Sequence, residues 1–233
     1  MATTGICNSF KVEVLMGGHC FNATQSALAG AGVSAAFTLT GLATVAGLSV
    51  GMAASGTNVA AGAVIASIDS TSQVTVSKAH TGTVTSGTIA FTGDVFKIAL
   101  VKVAPSLTYS ATQINIGTPG SGTPTTSNLG TDEASGTGYT SGGLALTNVT
   151  PSLSSTTATT SFSPSPSWTG ITISTTAAIV YNTNIRLGAA ATPFSGRTVG
   201  VYDFGGTVSS GTLGTLTLTM PVNAAGTALI QLA

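Results

Sequence analysis

Gly214-Thr215-Leu216-Thr217-Leu218-Thr219-Met220 decides the fold class. Leu216, Leu218 and Met220 alternate with three threonines, so one face is apolar and the other carries hydroxyls, the period-two pattern of a strand half-buried on a core. Upstream, residues 172–182 and 197–204 share the β-branched and aromatic composition of strands, and residues 228–232 supply a closing one. Shorter candidates lie at 142–149 and 159–162, while Pro164-Ser165-Pro166-Ser167-Trp168 reads as a turn that presents one large anchor. Short strands at this spacing with turn-rich joints predict a mainly β protein with an antiparallel sandwich or barrel-like body, not a parallel α/β sheet.

The N-terminal region differs. Residues 8–18 read as a short helix: a polar cap residue at Asn8, Phe10 and Val14 four apart, and a glycine stop at Gly17-Gly18. A strand over residues 11–15 competes, because Val12 and Val14 are β-branched and alternate. Beyond Asn22 the composition shifts to Ala, Gly, Ser and Thr up to Thr92, and this stretch reads as an inserted small β module. Short apolar pieces within 41–52, 64–69, 73–77 and 88–91 predict its strands. The organisation expected is therefore a body of residues 1–22 plus 93–233 with a module of residues 23–92. Residues 94–101 resume the body as a strand. The Gly-, Pro-, Thr- and Ser-rich stretch 117–132 reads as a long loop, and long loops often mark contact surfaces.

Composition excludes several function classes. Only 5% of the 233 residues are charged, with six basic and six acidic side chains and a formal net charge of zero. No Lys/Arg cluster exists to neutralise a run of phosphates, so nucleic-acid binding and electrostatic membrane docking are not expected. Disorder is disfavoured by 42% hydrophobic residues. Ser and Thr supply roughly 30% of the chain, an excess that suits a packed, permanent assembly. Residues 41–66 are apolar, but glycines, Ser49, Ser55, Thr57 and Asn58 interrupt them too often for a transmembrane helix. With 6% aromatics and no girdle pattern, an outer-membrane barrel is not expected either. The start of the chain has no basic, apolar signal-peptide pattern, which predicts cytoplasmic synthesis and makes Cys7 and Cys20 free thiols, buried as small apolar side chains.

No reaction class finds its basic residues here. Gly47-Leu48-Ser49-Val50-Gly51 matches the nucleophile elbow, with Asp69 and His80 following in hydrolase order, but the strand, turn and helix the elbow requires are missing. The adjacent pair Asp132-Glu133 reads as a solvated turn, and Glu13, Asp69, Asp94 and Asp203 are dispersed. His19 and His80 read as structural. No calcium loop, zinc set or cofactor motif occurs, so a non-enzymatic protein without cofactor or metal is expected. Asp203 is expected to pair with Arg197 or Arg186, and Trp168 to sit in the core.

A set of segments carries a resemblance: Cys7-Asn8-Ser9-Phe10-Lys11, Gly18-His19-Cys20-Phe21, residues 94–100, residues 136–143 around Tyr139, Ser167-Trp168, residues 178–182 around Tyr181, and Val201-Tyr202-Asp203-Phe204-Gly205. Together they resemble a family of small virion structural proteins of tailed bacteriophages. The match in order and spacing runs from about residue 93 to the end. The family pattern passes almost directly from Gly-His-x-Phe into Asp-x-Phe-Lys-Ile-Ala-Leu, and this chain departs from it by inserting residues 23–92. The insert is similar to a short β module of phage capsid-accessory and tail proteins. The resemblance implies a capsid decoration, or cement, protein on the virion exterior, assembled in the host bacterial cytoplasm. Its expected partners are the major capsid protein and further copies of itself in a homo-oligomer such as a trimer. A tail-tube or fibre-associated component and a host-surface adhesin are the alternatives. Candidate capsid or subunit contacts are Gly117, Pro119, Pro124, Asn128 and Asp132, chosen from the long loop. Candidate structural anchors are Phe10, Phe96, Tyr139, Trp168, Tyr181 and Asp203.

Overall fold

The computed structural model describes residues 5–102, 109–183 and 196–232. The protein is mainly β, 42% strand and 5% helical, with antiparallel sheets and a sandwich-like body. In chain order the strands are β1 (Gly5–Ile6), β2 (Gln25–Leu28), β3 (Thr38–Leu39), β4 (Ala53–Ser55), β5 (Ala63–Ser70), β6 (Gln73–Val76), β7 (Ile89–Thr92), β8 (Phe96–Val101), β9 (Leu144–Ala145), β10 (Ser152–Ser154), β11 (Thr157–Thr160), β12 (Ser167–Ile171), β13 (Ser174–Asn182), β14 (Arg197–Ser209), β15 (Gly214–Thr217) and β16 (Ile230–Leu232). One α-helix, α1 (Asn8–Leu15), lies among the described residues. The chain divides into two compact units. The first comprises Met1–His19, Val95–Thr147 and Leu153–Ala233, and the second comprises Cys20–Asp94 and Asn148–Ser152.

In the first unit a five-stranded sheet runs β1-β14-β13-β8-β9. Strand β13 is its centre, paired with β14 through Ile179↔Val201 and with β8 through Ile179↔Ala99. From Ala177 to Asn182 every residue of β13 is buried, the mark of a strand covered on both faces. A second layer comes from the β10-β11-β16 sheet and the β12-β15 ribbon. Phe96 on β8 meets Phe162 at 5.4 Å between ring centroids. Ile98, Ala178, Tyr202 and Phe204 of the main sheet face residues 217–221 and Leu229 across an apolar cavity of about 310 Å³. Gly143 closes β9 onto β8: its φ is +71°, and a Cβ there would collide with the carbonyl oxygen of Ile98, so only glycine fits.

Eight residues are too few for a helix to stand alone in water, and α1 is held by what it buries. Phe10 and Glu13 point inward, whereas Val12, Leu15 and Met16 are exposed.

The second unit is a six-stranded antiparallel sheet in the order β2-β7-β4-β5-β6-β3. Just past β2, Ala31 bridges Thr40 beside β3, with both N–H···O bonds at 2.8 Å. The strand order therefore returns on itself as a small barrel, which removes exposed sheet edges. Its interior holds Leu39, Met52, Ile65, Val74, Ile89 and Phe91, all essentially inaccessible. The two ends of its main segment meet: Asp94 donates its N–H to the Cys20 carbonyl at 2.8 Å, and Cys20 donates its N–H to the Asp94 carboxylate at 2.9 Å.

Two local expectations are corrected. The stretch 41–52 forms turns, not strand, because the barrel needs sharp reversals there and Gly41, Gly47 and Gly51 take positive φ. The stretch after Pro166 is not a turn: Ser167 opens β12, where cross-strand pairing of Trp168 with Leu216 overrides the two prolines. The 117–132 segment is the long loop its composition predicts, internally bonded and ending in the 3-10 turn Gly130–Asp132.

Candidate functional site

An exposed, internally hydrogen-bonded feature of the first unit is the 117–131 segment, which carries no charged residue. Its geometry depends on Asn128. The Asn128 Nδ2 reaches the carbonyls of Ser121 (3.5 Å) and Thr123 (3.4 Å), and its Oδ1 accepts the Gly130 N–H at 2.9 Å. Thr125 and Asn128 exchange backbone bonds of 2.8 and 3.1 Å. Gly117, at φ +64°, passes directly against the Asn128 side chain, where a Cβ would clash. Leu129 is fully buried and donates its N–H to Ile116 at 2.8 Å, which anchors the segment to the body. The outer surface is hydroxyl and backbone: Thr118, Ser121, Thr123, Thr125, Thr126 and Ser127 are exposed. Such a surface offers hydrogen-bonding groups and shape but no ion-pairing group.

Of the expected contacts, Gly117 is exposed, and Pro119, Pro124 and Asn128 are half-buried. Asp132 is not a surface contact. It is buried at 6% exposure and accepts the Tyr109 hydroxyl at 3.0 Å. The solvated-turn reading of Asp132-Glu133 is overturned with it. Glu133, 2% exposed, accepts the Tyr139 hydroxyl (2.9 Å), the Ser141 hydroxyl (2.8 Å) and the Gly142 N–H (2.5 Å). Buried carboxylates persist only where donors replace water, and these come from residues that no local pattern joins to Asp132-Glu133. Tyr139 in turn accepts the Leu100 N–H at 3.0 Å, and Tyr181 donates to the Gly142 carbonyl at 2.7 Å. Burial raises the hydroxyls of Tyr109, Tyr139 and Tyr181 above the ordinary tyrosine range. Asp132 adds to the shift of Tyr109, and Glu133 to those of Tyr139 and Tyr181.

A second polar cluster ties α1 to the sheet. Glu13 Oε1 accepts the Arg197 Nε at 2.6 Å, and Glu13 Oε2 lies 2.8 Å from His19 Nε2. A carboxylate beside an imidazole has the outline of a catalytic dyad, but Nδ1 of His19 accepts the Asn182 amide at 2.8 Å and the side chain is fully buried. A general base needs a nitrogen open to substrate, and both are spent. Phe10 packs on the same ring at 4.8 Å. Arg197, one of the two partners expected for Asp203, pairs with buried Glu13, a carboxylate that requires a counter-charge. Asp203 itself accepts the Gly205 N–H at 2.9 Å, and Arg186 lies outside the described residues. Phe10, Phe96, Trp168 and Tyr181 are buried, and Tyr139 is half-buried.

The residues of the nucleophile-elbow string have separate partners in the second unit. Ser49 Oγ lies 3.3 Å from Cys20 Sγ, His80 Nε2 donates to the Thr38 carbonyl at 3.0 Å, and exposed Asp69 accepts from Ser67 and Thr75 at 2.6 and 2.7 Å. The Ser67 and Thr75 hydroxyls lower the Asp69 carboxyl below its ordinary value. Cys7 and Cys20 are free and buried, and burial raises the Cys7 thiol. Among the described residues no group of three or more His, Cys, Asp or Glu side chains could hold a metal ion, and no helix is long and apolar enough to cross a membrane.

The 33–37 loop of the second unit exposes Val33 and Phe37, with Ala35 held at φ +61°. His80 secures it through its backbone, accepting the Ala35 N–H at 3.0 Å and donating to the Ala36 carbonyl at 2.8 Å.

Comparison with protein-family models, with curated proteins and with solved structures finds no match for this chain.

Proposed function

We propose that the protein is a non-enzymatic structural component of a bacteriophage virion, and specifically a decoration protein that binds and stiffens the mature capsid shell. The observation that carries this reading is the 117–131 segment: largely exposed, free of charge, and braced internally by hydrogen bonds of Asn128. A pre-ordered neutral loop loses little entropy on docking, and small contacts repeated over a lattice add up through multivalency. Binding the expanded shell alone would stabilise it by mass action. His19, with both ring nitrogens bonded, and the buried, hydrogen-bonded carboxylates of Glu13, Asp132 and Glu133 support a scaffold role over a catalytic one. Phe37 and Val33 on the second unit favour one further reading, recognition of a host surface by that unit, since an exposed aromatic on a secured loop suits a binding anchor.

Quantitative mass spectrometry of particles bearing this chain tests the proposal. A copy number close to that of the major capsid protein is expected. A small ring-like multiple would assign the chain to the tail, and its absence from particles would reject a virion role.

A further inference from the structure

We draw no further inference here: the strongest candidate, the apolar groove of about 370 Å³ between helix α1 and strand β16, lined by Ile6, Phe10, Val14, Leu15, Ile230 and Leu232 on a helix that also exposes Val12 and Met16, carries nothing because nothing in the structure shows what covers it.

Discussion

Asn182 donates from Nδ2 to Nδ1 of His19 at 2.8 Å, and because a side-chain amide nitrogen can only donate, the imidazole must carry its proton on Nε2. From there it donates to Glu13 Oε2. The tautomer is thus set by two residues far apart in sequence. Nitrogen NMR of the imidazole at neutral pH should show an unprotonated Nδ1 and a protonated Nε2. A spectrum with the proton on Nδ1 would contradict this arrangement.

Glu133, unlike exposed Asp69, gathers three hydrogen bonds at a buried carboxylate. Glu133→Ala leaves the Ser141 hydroxyl and the Gly142 N–H without their acceptor and should cost about 3 kcal/mol of unfolding free energy. Tyr139→Phe removes the bond to Glu133 and the acceptor of the Leu100 N–H, and should cost about 2 kcal/mol. Denaturant titration of both variants and their combination measures the coupling, and strictly additive losses would show that the two groups do not act together.

All four tyrosines of the chain, Tyr109, Tyr139, Tyr181 and Tyr202, have hydroxyls raised by burial. The sign follows directly. Below about pH 10 both folded and unfolded states hold these protons; above it the unfolded chain releases them while the folded one retains them. Stability should fall with rising pH, each such tyrosine steepening the slope by up to about 1.4 kcal/mol per pH unit. Absorbance near 295 nm should show tyrosinate appearing together with unfolding. Gradual ionisation of the intact fold near pH 10 would contradict the burial.

Asn128→Ala removes the internal brace of the 117–131 segment and should cost about 1 kcal/mol. The visible effect is local: hydrogen exchange at the Gly130 amide should accelerate about tenfold while β13 keeps its protection. On the proposed function, shell binding by this variant should weaken. Binding by the unaltered protein should change little between about 0.05 and 0.3 M salt, since an uncharged contact leaves few ion pairs to screen. A steep loss across that range would reject the loop as the contact.

Phe91→Ala empties a position at the centre of the barrel interior, where Phe91 is inaccessible beside Met52 and Ile89, and should cost about 3–5 kcal/mol. Thermal unfolding of the full chain would register it as a lowered midpoint.

Much of the architecture was legible because long strands buried against a core keep a period. The alternation at 214–220 and the β composition at 172–182 and 197–204 correspond to β15, β13 and β14. Two-residue strands such as β1, β3 and β9 are too short to hold any period, and their pairing comes from neighbours. Proline masked β12, whose place in the ribbon is secured by Trp168 opposite Leu216. The polar clusters were the least legible. Glu13 and Arg197 are 184 residues apart, and Asp132 and Glu133 lie in a run of Gly, Ser and Thr that promises solvent. Nothing local in the sequence announces that Tyr109 and Tyr139 fold over them. Asn128 left a fainter sign, an amide side chain in a segment dense with glycines.

The meeting of Cys20 and Asp94 has a consequence for chain entropy. The main segment of the second unit begins and ends at neighbouring residues, joined by the Asp94 N–H on the Cys20 carbonyl, and Asn148–Ser152 enters the same unit from a distant part of the chain. The Asp94 carboxylate and amide thus clamp Cys20 across 74 residues of sequence, so the loop-closure entropy of that whole segment is met at one pair of residues.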